Sequence, residues 1–225
     1  MSKLLDLLEA FNRKERFFLF TQATDNPGFI LGNQFRKELS KATDTDTPAD
    51  AKAYIDYHLD WLHAAVILSQ QTPSGDRWPN KTPDDQFLVS TGNQEDVDLL
   101  IAFDRGVTTS LIFVEAKAES GWTNSQLISK ANRLKKIPGS DDFMPDAPIR
   151  PVFCLASPRR PVGLLTTEWP TWMLRPSAPP DFRWLQLHVP AGRKKVEGCD
   201  INGKPSQARS YWTVRDLTRR GAGSE

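Results

Sequence analysis

Val97-Asp98-Leu99-Leu100-Ile101-Ala102-Phe103 and Ser110-Leu111-Ile112-Phe113-Val114-Glu115-Ala116-Lys117 are two apolar runs joined through the turn residues Asp104-Arg105-Gly106. Each is short, rich in aliphatic residues and bounded by polar or turn-forming ones, which predicts two strands of a hairpin. The second run is apolar on both faces until its last residues, as suits a strand inside a sheet covered on both sides. A strand repeats every two residues, so Glu115 and Lys117 point to the same face. Antiparallel pairing would bring Asp98, near the start of the first run, beside Glu115, near the end of the second.

The flanking sequence supplies the rest of an α/β pattern. After the hairpin, Thr123 to Ile137 reads as a helix with Leu127, Ala131 and Leu134 on one stripe, and Thr123-Asn124-Ser125-Gln126 matches a capping box. Ile149 to Ala156 and Phe182 to Val189 read as buried strands, and Tyr211 to Val214 as a last short one. Before the hairpin, Leu4 to Thr21 reads as a helix broken by Asp25-Asn26-Pro27-Gly28, and Gly32 to Lys41 as a second. Pro48 to Ser69 reads as a third, capped by Thr47, with Ile55, Leu59, Leu62 and Val66 on its apolar face. Asp56, Asp60 and His63 lie on its other side, and Phe87-Leu88-Val89 suggests a short strand. Six prolines between Pro158 and Pro180 mark an irregular surface excursion.

With 225 residues, the chain suits one α/β domain with a small elaboration. Residues 1–47 are expected as a helical extension, 48–156 as the core, and 157–225 as strands and irregular segments of the same domain. No run approaches the roughly 18 apolar residues of a spanning helix. Asp6, Glu9, Arg13, Lys14 and Glu15 interrupt any secretory leader. Cys154 and Cys199 fit no metal spacing, and Cys154 sits in an apolar run, which predicts a small buried thiol. A cytoplasmic protein with no membrane partner is the expectation. The net charge of +1 decides nothing about a polyanionic partner. Basic clusters at Arg133-Lys135-Lys136, Arg159-Arg160, Arg193-Lys194-Lys195 and Arg219-Arg220, around carboxylates between Asp84 and Asp104, suit a metal-dependent enzyme acting on nucleic acid. Scattered solvated charge gives the same count.

Hard divalent cations take oxygen ligands, usually one or two carboxylates with waters and phosphate oxygens. Asp98, Glu115 and the backbone carbonyl of Ala116 make such a set. The ammonium of Lys117 is placed to orient or deprotonate an attacking water, or to stabilise charge on a phosphate. As a bare triplet Glu115-Ala116-Lys117 says little, since Asp50-Ala51-Lys52 is another. What separates them is context: an apolar strand before Glu115, a strand with an early aspartate upstream, and a helix directly after. The alternative is a pair of solvated strand ends with Lys117 as a salt-bridge partner. It is awkward because both acids interrupt strands that look buried, where a carboxylate needs a partner or a cation.

The segment from Asp98 to Phe103, the turn, the strand ending in Glu115-Ala116-Lys117 and the helix after it together resemble the core of the PD-(D/E)XK nucleases, over about residues 48–156. Val97 stands where the class name has proline. The resemblance implies a restriction-endonuclease-like α/β fold, a mixed central β-sheet flanked by α-helices. It implies an endonuclease dependent on Mg2+ or Mn2+ that hydrolyses phosphodiester bonds in DNA, in defence or DNA processing. Asp98 and Glu115 would bind the metal and Lys117 would assist the water. Asp96 has the same strand parity and is the rival ligand. An acidic residue on the preceding helix would reach the metal, with Asp60 first, Asp56 next and Glu38 more distant. Gln126 would stand near the site on the following helix, and Lys130 and Arg133, on the same face, would meet a phosphate backbone. The alternative is a catalytically silent protein of this fold that binds nucleic acid or a partner protein. A homodimer or a partner subunit is compatible with either. His58 and His63 are expected at the surface or as caps, and Trp169, Trp172, Trp184 and Trp212 in the core or at an interface.

Overall fold

The computed structural model describes residues 2–71, 77–81, 88–92, 95–118, 121–137, 147–177, 179–190, 192–207 and 209–216. Along the chain the elements are α1 (Lys3–Phe11), α2 (Glu15–Ala23), α3 (Asn33–Thr43), β1 (Lys52–His58), α4 (Leu59–Gln70), β2 (Asp96–Arg105), β3 (Thr108–Ala116) and α5 (Asn124–Leu134). They continue with β4 (Ile149–Ser157), a 3-10 turn at Thr171–Met173, β5 (Leu174–Arg175), β6 (Asp181–Gln186), β7 (Lys194–Cys199) and β8 (Tyr211–Asp216).

β2 and β3 form the expected antiparallel hairpin. The two residues between Arg105 and Thr108 close it, and Gly106 takes φ 61, a conformation open to glycine without strain. β3 lies inside a six-stranded mixed sheet of order β1-β2-β3-β4-β6-β5. β1, β2 and β3 are antiparallel neighbours, β3 to β4 and β4 to β6 are parallel, and β5 runs antiparallel to β6. Being apolar on both faces, β3 supports two cores. Leu111 and Phe113 pack with residues of α1, α4 and α5, whereas Ile112 and Val114 pack with Leu39 and Ala42 of α3. An α/β sheet with helices on both faces follows.

Three expectations are corrected. The predicted helix from Pro48 begins only at Leu59, because the residues before it form β1, which pairs with β2 from Lys52↔Ala102 to His58↔Asp96. The apolar spacing Ile55-Leu59-Leu62 that suggested a continuous helix runs across a strand-to-helix junction. That junction is capped by His58, whose Nδ1 accepts the Asp60 amide at 3.1 Å. The first predicted helix is two, α1 and α2. Asn12 takes extended backbone between them and its side chain accepts the Lys14 amide at 3.2 Å, a polar turn of the kind asparagine favours. Leu88 and Val89 lie in no strand, and Phe87 lies outside the described residues.

The C-terminal strands do not belong to the core unit. The chain divides into Met1–Leu187 and His188–Glu225. The second unit is a ribbon of β7 and β8, held by the pairs Lys195–Glu197 (2.9 Å) and Arg215–Glu197 (3.0 Å). Val196, Val214 and Trp212 are exposed. Cys154 is fully buried, as expected, and its burial pushes the thiol pKa up to about 12. Among the described residues no helix is long and apolar enough to cross a membrane.

Candidate active site

The β2–β3 ladder runs from Arg105↔Thr108 to Leu99↔Val114, and one further step in the same register sets Asp98 across from Glu115. The β1–β2 ladder treats Asp56 similarly. Its neighbours pair as Ile55↔Leu99 and Tyr57↔Val97, which leaves Asp56 opposite Asp98 with a left-handed φ of 51. Three acidic residues thus fall on one line across three adjacent strands, where β1 and β3 end and β2 begins.

Local hydrogen bonds fix this end of the sheet. Asp98 Oδ2 accepts the Ala116 amide at 2.7 Å, standing in for the backbone carbonyl that would continue the ladder. The Lys117 amide donates to the Ala156 carbonyl at 2.9 Å, which carries β3 on beside β4. The Lys117 Nζ lies 5.8 Å from the centre of the Trp122 ring, within cation–π range. Gln126 is exposed in the first turn of α5, and its amide donates to the Thr123 cap at 3.3 Å.

Behind the strand ends lies a buried network of ions. The Glu115 side chain is 12 % exposed and its Oε1 is 3.1 Å from the Lys130 Nζ, whose side chain is 11 % exposed. Lys130 also donates to the Asp96 carbonyl and comes within 3.8 Å of Glu95 Oε1. Arg133 pairs with Asp60 at 2.5 Å and reaches within 3.6 Å of Glu95 Oε2. Lys14, placed by the α1–α2 turn, pairs with Asp96 at 2.5 Å. Burial pushes the Glu115 carboxyl from its ordinary 4.5 up to about 7; the charge of Lys130 opposes the rise and that of Asp98 adds to it.

Lys130 and Arg133 are therefore not on a face open to a phosphate backbone, contrary to expectation. Lys130 follows Leu127 by three residues and precedes Leu134 by four, so it falls within the apolar stripe of α5. Its stem and that of Arg133 line the interior while their charged ends reach inward carboxylates. Asp60 does not stand free for a metal either. Its Oδ2 accepts the amides of Thr91 (2.9 Å) and Gly92 (3.2 Å), and Arg133 binds its other oxygen. Burial works to raise the Asp60 pKa, but these hydrogen bonds and the Arg133 charge outweigh it and hold the carboxyl below its usual range. Asp56 carries an ion pair to Arg16 at 3.2 Å. Glu38 sits on α3 and accepts from Gln34 at 2.7 Å.

Sequence reading missed the role of Lys14. It carries no local signal, since it reaches the site only through tertiary packing. His63, expected near the surface, is 1 % exposed, and its Nε2 is buried without a hydrogen-bond partner. Trp169 and Trp172 are in the core, as expected, whereas Trp212 is 72 % exposed.

The donor set at these strand ends is of the chemical type that hard dications take. It consists of oxygens, and Glu115 Oε1 and Asp96 Oδ1 are buried without a hydrogen bond. Among the described residues no group of three or more His, Cys, Asp or Glu side chains could hold a metal ion. Ligation would therefore rest on two carboxylates with a carbonyl and waters, which magnesium accepts. A cavity of about 430 Å3 lies elsewhere, lined by Thr45, Arg105, Ser110 and Arg150. No protein-family model, curated protein or solved structure matches the chain.

Proposed function

We propose that this chain is a divalent-metal-dependent nuclease of the PD-(D/E)XK kind, hydrolysing phosphodiester bonds in DNA. The observation that carries the reading is the β2–β3 register, which sets Asp98 across from Glu115, whose side chain is largely covered, with Lys117 two residues on. Asp98, Glu115 and the Ala116 carbonyl would hold a magnesium or manganese ion. Such an ion, when bound, lowers the pKa of water and offsets charge on the phosphate.

The chain's own residues supply the remaining chemistry. The Ala116 amide pins the Asp98 carboxylate at the strand end. The Lys117 ammonium, beside Trp122, orients the attacking water or stabilises charge developing on the phosphate. The water gives up a proton to solvent as its oxygen adds to phosphorus, the bond from phosphorus to the leaving sugar oxygen breaks, and that oxygen takes up a proton from solvent.

Cleavage of plasmid and single-stranded DNA in magnesium, manganese or EDTA tests the reading, with wild type beside Glu115→Ala and Lys117→Ala. The expected result is metal-dependent cutting that each substitution lowers by a factor of about one hundred or more. Cutting that survives both substitutions overturns the assignment. A second reading, a silent nucleic-acid- or protein-binding relative, is favoured by one observation: Lys130 and the Ala116 amide already partner the two carboxylates. It predicts no cutting in any metal, with binding retained in Glu115→Ala.

A further inference from the structure

Helix α5 brings a cation of its own to the carboxylate that the proposed metal needs. The Lys130 ammonium is enclosed by Glu115 Oε1 at 3.1 Å, Glu95 Oε1 at 3.8 Å and the Asp96 backbone carbonyl. The contact with Glu115 is close but poorly aligned, since Oε1 has no hydrogen-bond partner. Around this point five carboxylates, of Asp60, Glu95, Asp96, Asp98 and Glu115, face three basic side chains, of Lys14, Lys130 and Arg133.

We propose that Lys130 is a tethered counter-cation that holds Glu115 until a divalent ion takes its place, so that metal binding is an exchange whose affinity Lys130 sets. The inference rests on the metal site proposed above. Lysine suits the role better than arginine, because its compact charge sits on a flexible stem and no planar fork must be broken for it to move. It also has somewhere to go. Glu95, with its side chain 26 % exposed, and the Asp96 carbonyl can keep the ammonium after Glu115 is given up. Arg133, bound to Asp60 at 2.5 Å, holds α5 in place meanwhile. Lys130 is thus a positioning residue, not a group that touches substrate.

The test is Mn2+ binding by calorimetry and electron paramagnetic resonance on the full chain, comparing wild type, Lys130→Met, Lys130→Gln and Glu115→Gln. Lys130→Gln keeps an N–H donor for the Asp96 carbonyl should Lys130→Met fail to fold. Both Lys130 variants should bind Mn2+ at least about tenfold tighter than wild type, because a like charge beside the ion is removed. Their melting temperatures should fall in EDTA and rise with Mn2+ by more than the wild type's does. In the wild type, the Lys130 ammonium NMR signal should shift when Mg2+ is added. Unchanged or weaker affinity in the Lys130 variants, or an ammonium signal indifferent to Mg2+, overturns the inference. If wild type and both Lys130 variants bind Mn2+ equally and Glu115→Gln loses it, the metal site stands and the exchange falls. If none binds, both fall.

Discussion

Glu115 and His63 should give the protein two large and opposite pH dependences of stability that hide one another. Burial raises Glu115 from 4.5 to about 7 in the folded chain, and burial, helped by the charge of Arg133, lowers His63 from 6.5 to about 4. A carboxyl with a raised folded pKa binds more protons folded than unfolded. Its contribution is fully present below about pH 4.5 and is lost as pH rises through about 7. A histidine with a lowered folded pKa binds fewer protons folded. Its contribution is fully present above about pH 6.5 and is lost as pH falls through about 4. Each shift corresponds to about 3 kcal/mol. Between pH 4 and 8 the two nearly cancel, leaving a summed variation within roughly 1 kcal/mol. Glu115→Gln should unmask the histidine, so that stability in EDTA climbs by about 3 kcal/mol from pH 4 to 7. His63→Phe should unmask the carboxyl and give a fall of similar size from pH 4.5 to 7.5. Urea denaturation midpoints across that range, with the slope m held common, measure both. Variant profiles parallel to the wild type would refute the reasoning, because neither group would then titrate differently in the folded and unfolded states.

Two further outcomes follow from the packing. Arg133→Met leaves Asp60 and Glu95 short of a buried partner and should destabilise the chain by roughly 3–5 kcal/mol; adding Asp60→Asn should recover part of that loss in urea denaturation, and simple additivity would argue against the pairing. At position 56, where φ is 51, glycine should be more stable than alanine by about 1 kcal/mol, and the reverse ranking in thermal melts would contradict the left-handed backbone there.

The hairpin was legible because its signal is local. Residues 97–103 and 110–117 are apolar, unbroken and joined by a turn containing glycine, so strand, pairing and the Asp98–Glu115 juxtaposition all follow from periodicity. β1 was not legible in the same way. Tyr54 and Tyr57 are both buried and both pack in the core with α1 and α4, although three residues apart on a strand they should face opposite ways. The left-handed Asp56 between them breaks the alternation, and a broken alternation reads as helix. β7, with Lys194, Lys195 and Glu197 among its six residues, buries only Cys199 and so lacks the pattern that marks a core strand. Lys130 is different again, because its signal was present: it lies at apolar positions relative to both Leu127 and Leu134. A lysine there is costly unless acceptors wait for it, and those are the carboxylates of Glu95 and Glu115 and the backbone carbonyl of Asp96, far away in sequence.

The distribution of charge against burial separates this end of the sheet from the rest of the fold. Along β3 every residue from Thr109 to Val114 is buried, and the ladder to β2 is regular. At Glu115 the apolar sequence stops and the strand end opens at Asp98 and Ala116, yet the Glu115–Lys130 pair stays largely buried, so ions are packed where aliphatic side chains would be more stable. Topology makes this one place. β1 ends, β2 begins and β3 and β4 end at the same edge of the sheet, and α4 starts there with Asp60. A fold chosen for stability alone would fill that edge with leucine and valine, as it does in the middle of the sheet. Instead it keeps a carboxylate shifted to about pH 7, an orphaned oxygen on Asp96 and a lysine tucked into an apolar stripe. Local rules are broken together here, within a sheet that otherwise obeys them, which is the pattern expected where chemistry has been favoured over packing.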